Sequence, residues 1–185
     1  HVRSRRQRQM CIRDRSKNQF MTLTAFLTAL AIVIPLVMPI KIVIPPASFT
    51  LASHVAIFLA MFISPLMTVI VVIGSAIGFG MSGLPFIITL RALSHLLFAS
   101  IGALYLQKHP DTLDSQKKTW IFNFLLALIH AFGEVVVCIL FYTTSAYPAN
   151  AFYILFGLVG LGTVIHSMVD FVIAKFIYQA LKKIR

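Results

Sequence analysis

From Phe20 to Ala180 the chain is a near-continuous succession of apolar runs, broken at a few places by short polar or proline-containing stretches. A helix needs about 20 apolar residues to cross a bilayer, and the runs read as helices of that kind. The first covers about Gln19 to Met38, is closed by Pro35 and Pro39, and leads into an extended loop, IKIVIPPASFT (40–50). Leu51–Met81 is apolar throughout, but its 31 residues would make a helix of about 46 Å at ~1.5 Å per residue. That overshoots a hydrocarbon layer of about 30 Å. Ser64-Pro65 falls in the middle, and a residue before proline tends to leave the helical region. The pattern therefore predicts two short spans meeting there. Pro85–Leu106, Trp120–Tyr142 and Ala151–Leu181 complete the set, with QKHPDTLDSQKK (107–118) as the soluble connection and TTSAYPAN (143–150) as a second loop. The reading is all-α: a six-helix integral membrane bundle forming one domain over residues 17–185.

Composition agrees. Of 185 residues, 59% are hydrophobic and 11% charged, which excludes an ordinary soluble domain. The net charge of +11 is uneven: residues 1–17 carry seven Lys/Arg and one Asp, contributing +6. Residues 1–16 are expected to be a disordered basic head. Within it RQRQMCIRDRS (6–16) resembles translated sequencing-adapter sequence, so residues 1 to about 15 are read as non-native. No aromatic residue precedes Phe20 to stack on bases, which argues against a nucleic-acid partner. Basic residues favour the cytoplasmic side. Lys108, Lys117 and Lys118, then Lys182, Lys183 and Arg185, are two spans apart, and six spans put both termini in the cytoplasm. The expected location is a bacterial plasma membrane, crossed several times. Cys11 and Cys138 give neither a disulfide framework nor a metal site.

Charges inside hydrocarbon are costly and usually functional. Here they fall in pairs spaced i, i+4, and each pair shares a helix face: Arg91/His95, His130/Glu134 and His166/Asp170. Asn123 extends the middle stripe. Counting from the outer helix ends puts Arg91 about 9 Å deep and Glu134 about 12 Å, so the two can face one outward cavity with His95 and His130 a turn below. Two readings stay open: an internal Arg91–Glu134 ion pair bracing the bundle, or a pocket in which Arg91 clamps a carboxylate through two hydrogen bonds. His166 and Asp170 count out toward the cytoplasmic side and read as interfacial anchors or a partner contact. His54 reads as an interfacial residue or a pocket lid. No catalytic residue is expected: Ser94 and Ser167 adjoin histidines in sequence, but no GxSxG, HExxH or glycine-rich phosphate loop is present. Without such a loop, ATP-driven work needs a separate subunit.

AFLTALAIVIP (25–35), PPASFTLASHVAIFLAMFISP (45–65) and LPFIITLRALSHLLFASIGALYL (84–106) together resemble the S component of energy-coupling factor (ECF) vitamin transporters. ASFTLASH and LRALSH are most similar to the niacin type. The resemblance covers about residues 19–184. It implies six helices and a vitamin pocket near the outer face. It also implies docking on a transmembrane coupling protein that carries two ATPases, which consume the ATP. The docking face would include Ala25 and Ala29. For nicotinate, it implies Arg91 on the carboxylate and His95, His130 or Glu134 at the pyridine nitrogen. Tyr142, Tyr147 and Tyr153 would cover the ring, with Asn150 and His54 as further contacts. The alternative is a structural or assembly membrane protein with no small ligand.

Overall fold

A computed structural model describes residues 5–44, 46–143 and 150–184, with side chains among them from residue 17 to 183. Helix α1 (Arg5–Val37) leads into a hairpin of β1 (Lys41–Ile44) and β2 (Ala47–Thr50). Then come α2 (Val55–Met61), α3 (Pro65–Met81) and α4 (Phe86–Lys108), a 3-10 turn at Pro110–Leu113, and α5 (Gln116–Thr143). The last helical unit starts as a π-helical stretch, Tyr153–Leu161, and continues as α6 (Gly162–Ile184). The described residues thus form six helices plus a two-stranded antiparallel hairpin, with Lys41 opposite Thr50 and Ile44 opposite Ala47. The hairpin stands where an extended loop was expected and departs from a purely α reading. Pro39 stands just before the hairpin and Pro46 at its turn, where a helix is disfavoured, and the backbone groups of the two strands satisfy one another instead.

Among the described residues four helical segments are long and apolar enough to cross a membrane: Lys17–Val37, Phe86–Lys108, Gln116–Thr143 and Tyr153–Lys183. The break at Ser64-Pro65 is present. Ser64 is extended (φ −162°, ψ 137°) and Pro65 opens α3, a position that suits its missing N–H. The segment before it is not a full span. Residues 51–54 form a turn, and α2 has seven residues, about 10 Å of helix. The basic head, expected to be disordered, has its side chains outside the described residues, and its backbone from Arg5 continues α1.

Lipid solvation is written on α3. Its exposed face is large and apolar (Leu66, Ile70, Ile73, Ile77), while its buried face carries Gly74, Ser75 and Gly78. Without a hydrophobic drive between helices, small residues give close backbone approach. A Cβ on Gly78 would sit 2.6 Å from the Cα of Ile32, and one on Gly74 would collide with Thr28, so α1 packs directly on this stripe. Ala25 and Ala29 lie on the outward face of α1.

Lys182 Nζ donates to Asp114 Oδ1 at 3.5 Å and Lys175 Nζ to Thr119 Oγ1 at 3.0 Å. The two basic clusters therefore share one end of the bundle. An aromatic core built on Phe58, Phe98, Phe122 and Phe171 occupies that half. A second core, with Phe79, Ile88, Val135 and Val159, occupies the other. Between the two lies a polar layer.

Candidate functional site

Arg91 projects from α4 into this layer with 3% of its surface exposed. Its Nη1 donates to the carbonyl of Pro46 at the turn of the hairpin, 2.8 Å. Its Nη2 donates to Glu134 Oε2 of α5 at 2.5 Å. The Thr163 hydroxyl, at the start of α6, donates to the same carboxylate oxygen. The other oxygen, Glu134 Oε1, faces His95 Nε2 at 3.2 Å and His130 Nε2 at 3.5 Å. Removing one member of such a pair strands a buried charge and costs about 3–5 kcal/mol.

Below the ion pair three imidazoles gather around a fourth, that of His54, the residue before α2. Ring centroids lie 4.6 Å away for His95, 4.8 Å for His130 and 4.9 Å for His166. Asp170 of α6, with none of its surface exposed, anchors this arrangement. Its carboxylate accepts from the backbone N–H of Ala52 at 2.9 Å and of His54 at 3.0 Å. It also faces His54 Nδ1 at 3.1 Å. Ala52 needs that anchor, because its φ of 66° is left-handed, a conformation an L-residue with a Cβ adopts at a cost. Ser167 Oγ meets His130 Nδ1 at 3.0 Å, and Ser53 Oγ meets His166 Nε2 at 3.2 Å.

A cavity lies beside Arg91. Its walls include Ser48 and Phe49 of β2, Phe79 and Ile88 at the end opposite the basic one, and His95, Glu134 and Thr163. Measured to the centre of a water it holds about 10 Å³, room for about one water. Ser48 Oγ, Arg91 Nε, His95 Nδ1 and His130 Nε2 are buried without a hydrogen-bond partner among the described residues. Orphaned polar atoms of this kind are rare in folded proteins and costly.

Over 184 residues, 98% of its length, the chain is 40% identical to the curated niacin transporter NiaX of Lactococcus lactis subsp. cremoris (strain MG1363), and the match covers 83% of that protein. The chain belongs to the NiaX family. This bears out the niacin-type resemblance seen in ASFTLASH and LRALSH. The NiaX-family chain is a multi-pass protein of a bacterial cell membrane. No family model and no solved structure matches it.

Of the site residues expected from the NiaX-family sequence, Arg91, His95, His130, Glu134 and His54 come together in one buried layer. His54 is neither interfacial nor at a rim: it is the hub of the imidazole group. Asn150 is exposed and is not among the residues lining the cavity, and Tyr153 is 75% exposed. Tyr147 lies outside the described residues. His166 and Asp170 were read as cytoplasmic-side anchors, and the structure corrects this: both belong to the polar layer. Their i, i+4 spacing was the available clue. Depth counting misplaced them because the π-helical stretch uses more residues per turn than an α-helix. Thr163 carried no clue in the sequence, Ser53 stood out only as part of ASFTLASH, and Ser167 was noted only as a serine beside a histidine. Ser94, beside His95 in sequence, donates back to the carbonyl of Arg91 at 2.7 Å.

Proposed function

We infer that this chain is the substrate-binding subunit of an ECF-type importer that captures niacin, as nicotinate, from outside the cell. The observation that carries the reading is the guanidinium of Arg91. It is buried, with Nε unpartnered among the described residues, beside a cavity on the side opposite the basic clusters, in a chain of the NiaX family. A planar carboxylate fits the fork of Arg91 through two charge-assisted hydrogen bonds. In the closed arrangement Pro46 and Glu134 occupy that fork, and the cavity is too small for a pyridine ring. Binding therefore exchanges the Pro46 carbonyl for the ligand carboxylate and moves the hairpin turn aside. A charged hydrogen bond of about 1.5–3 kcal/mol is lost and a bidentate one gained. His95 and His130 then meet the ring nitrogen, an acceptor that an imidazole N–H satisfies. Glu134 stays on Nη2, so the carboxylate does not face an uncompensated negative charge.

On this reading six helical segments cross the membrane with both termini inside, the short α2 and its preceding turn together replacing one span. A coupling protein docks on the outward face that carries Ala25 and Ala29, and ATP is hydrolysed by two separate ATPase subunits. This chain binds its solute and performs no chemistry on it. Equilibrium dialysis of labelled nicotinate against the purified protein tests the core of the proposal. Saturable binding is expected, lost in Arg91→Ala. Absence of binding at micromolar ligand to a well-folded protein rejects it.

A second reading has its own support in the 2.5 Å Arg91–Glu134 contact: a brace in a structural membrane protein. It requires that no small vitamin bind, and that Arg91→Met and Glu134→Gln damage folding to the same degree.

A further inference from the structure

The imidazole group has the layout of a metal centre. We propose that His54, His95 and His130 hold one divalent transition-metal ion of the zinc, cobalt or nickel type through their Nε2 atoms, with Glu134 Oε1 as the fourth donor. The site shares residues with the nicotinate pocket proposed above, but the ion binds whether or not that reading is right.

Geometry comes first. The coordinating atoms of the three histidines lie within 4.8 Å of one another. His54 Nε2 and His95 Nε2 are 3.4 Å apart. Tetrahedral coordination with metal–nitrogen bonds of 2.0–2.1 Å places neighbouring donors about 3.3–3.4 Å apart, so this edge is already formed. Glu134 Oε1 lies 3.2 Å from His95 Nε2 and 3.5 Å from His130 Nε2.

The outer contacts point the same way. A ligating histidine donates its other ring N–H to a carboxylate, carbonyl or hydroxyl, which fixes the tautomer and aims the lone pair. Asp170 does this at His54 Nδ1, 3.1 Å, and leaves His54 Nε2 as the bare nitrogen. The Ser167 hydroxyl, 3.0 Å from His130 Nδ1, is placed to do the same, and His130 Nε2 then turns toward Glu134 Oε1 at 3.5 Å. Among the described residues His130 Nε2 makes no hydrogen bond, and an orphaned acceptor costs about 1–3 kcal/mol; a cation would satisfy it and replace the contact between His54 Nε2 and His95 Nε2.

Charge completes the case. Among the described residues the buried formal charges are Arg91, Glu134 and Asp170, which sum to −1 with neutral imidazoles. A dication offsets that charge and brings the layer to +1, with His95 and His130 then ligating the ion instead of donating to a ring nitrogen.

The test uses full-length protein purified through a histidine-free tag, stripped with chelator and dialysed against cobalt(II). We expect one cobalt per chain, with the intense visible bands of a tetrahedral nitrogen–oxygen ligand set, displaced by zinc. The spectrum needs no variant, so it stands even if substitutions unfold the protein. His54→Ala and His130→Ala should abolish the bands, Asp170→Asn should weaken affinity about 10–100-fold, and His109→Ala, outside the layer, should leave them unchanged. Substoichiometric cobalt overturns the proposal, as does a weak, water-like octahedral spectrum that survives His54→Ala, or proton uptake in place of the ion. Nicotinate dialysis with stripped protein separates the two claims. Nicotinate binding without stoichiometric cobalt sinks the metal site alone, and cobalt binding without nicotinate sinks the transport reading alone.

Discussion

Asp170→Asn is the substitution through which the buried layer can be weighed. Asp170 Oδ1 accepts from the Ala52 N–H, and Oδ2 accepts from the His54 N–H and faces His54 Nδ1. An asparagine keeps the first contact through its carbonyl and turns an NH2 group toward the other two donors. Two hydrogen bonds to a charged acceptor disappear, each worth about 1.5–3 kcal/mol. Removing a carboxylate whose surface is 0% exposed returns part of that as relieved desolvation, several kcal/mol at most. The net expectation is a loss of about 2–4 kcal/mol, a large share of the 5–15 kcal/mol typical of a folded protein. At roughly 2–4 °C per kcal/mol for a chain of this size, Tm falls by about 4–16 °C. The damage should be local first, because Asp170 holds the left-handed turn at Ala52 that launches α2. Thermal unfolding in detergent and hydrogen exchange over residues 46–61 measure both effects. A Tm within about 2 °C of the parent, with the amides of Ala52 and His54 as protected as before, refutes the assignment of Asp170 as the anchor.

Gly78→Ala would drive a Cβ onto the Ile32 backbone, 2.6 Å from its Cα and 2.8 Å from its carbonyl oxygen; α1 must move, at a cost of about 1–3 kcal/mol, and a denaturant series reads it. Ala25→Leu with Ala29→Leu, on the outward face of α1, should leave nicotinate binding by the isolated chain unchanged but abolish uptake by cells, as a blocked docking surface requires; unchanged uptake removes that face from the interface. In the loop beyond the membrane, the hydrogen bond and charge of Lys118 hold the Asp111 carboxyl below its ordinary range. A carboxyl with a depressed folded pKa contributes stability above its unfolded pKa and loses it as pH falls through the folded one. Asp111→Asn should therefore remove a small, salt-sensitive part of the acid-side decline in Tm, and a decline identical in parent and variant shows that the pair contributes nothing.

The helices were legible because the bilayer leaves the backbone little choice: a long apolar run in hydrocarbon must close its own hydrogen bonds, and helix is how a single segment does so. The pairing of Arg91 with Glu134 was legible for a related reason. Both sit on neighbouring long helices joined by one short connection, so depth counted from the helix ends carries over from one to the other. That logic fails wherever the chain is not a straight α-helix. His54 follows a left-handed residue and a hairpin that dips to Arg91, so its place in sequence near an expected outer end says nothing of its depth. Asp170 and His166 lie beyond nine residues of π-helix, Tyr153–Leu161, which shortens the path from the outer end. These two irregularities are also what bring Asp170 under His54. A regular span at Leu51–Ser64 would hold the backbone N–H groups of Ala52 and His54 within its own helix, or leave them in its first turn at the membrane surface, and Asp170 would lie buried without its two backbone donors. The carboxylate at 170 and the broken helix at 51–54 therefore explain each other: the charge is tolerable in hydrocarbon because the unwound backbone solvates it, and the backbone is tolerable unwound because the charge accepts its N–H groups.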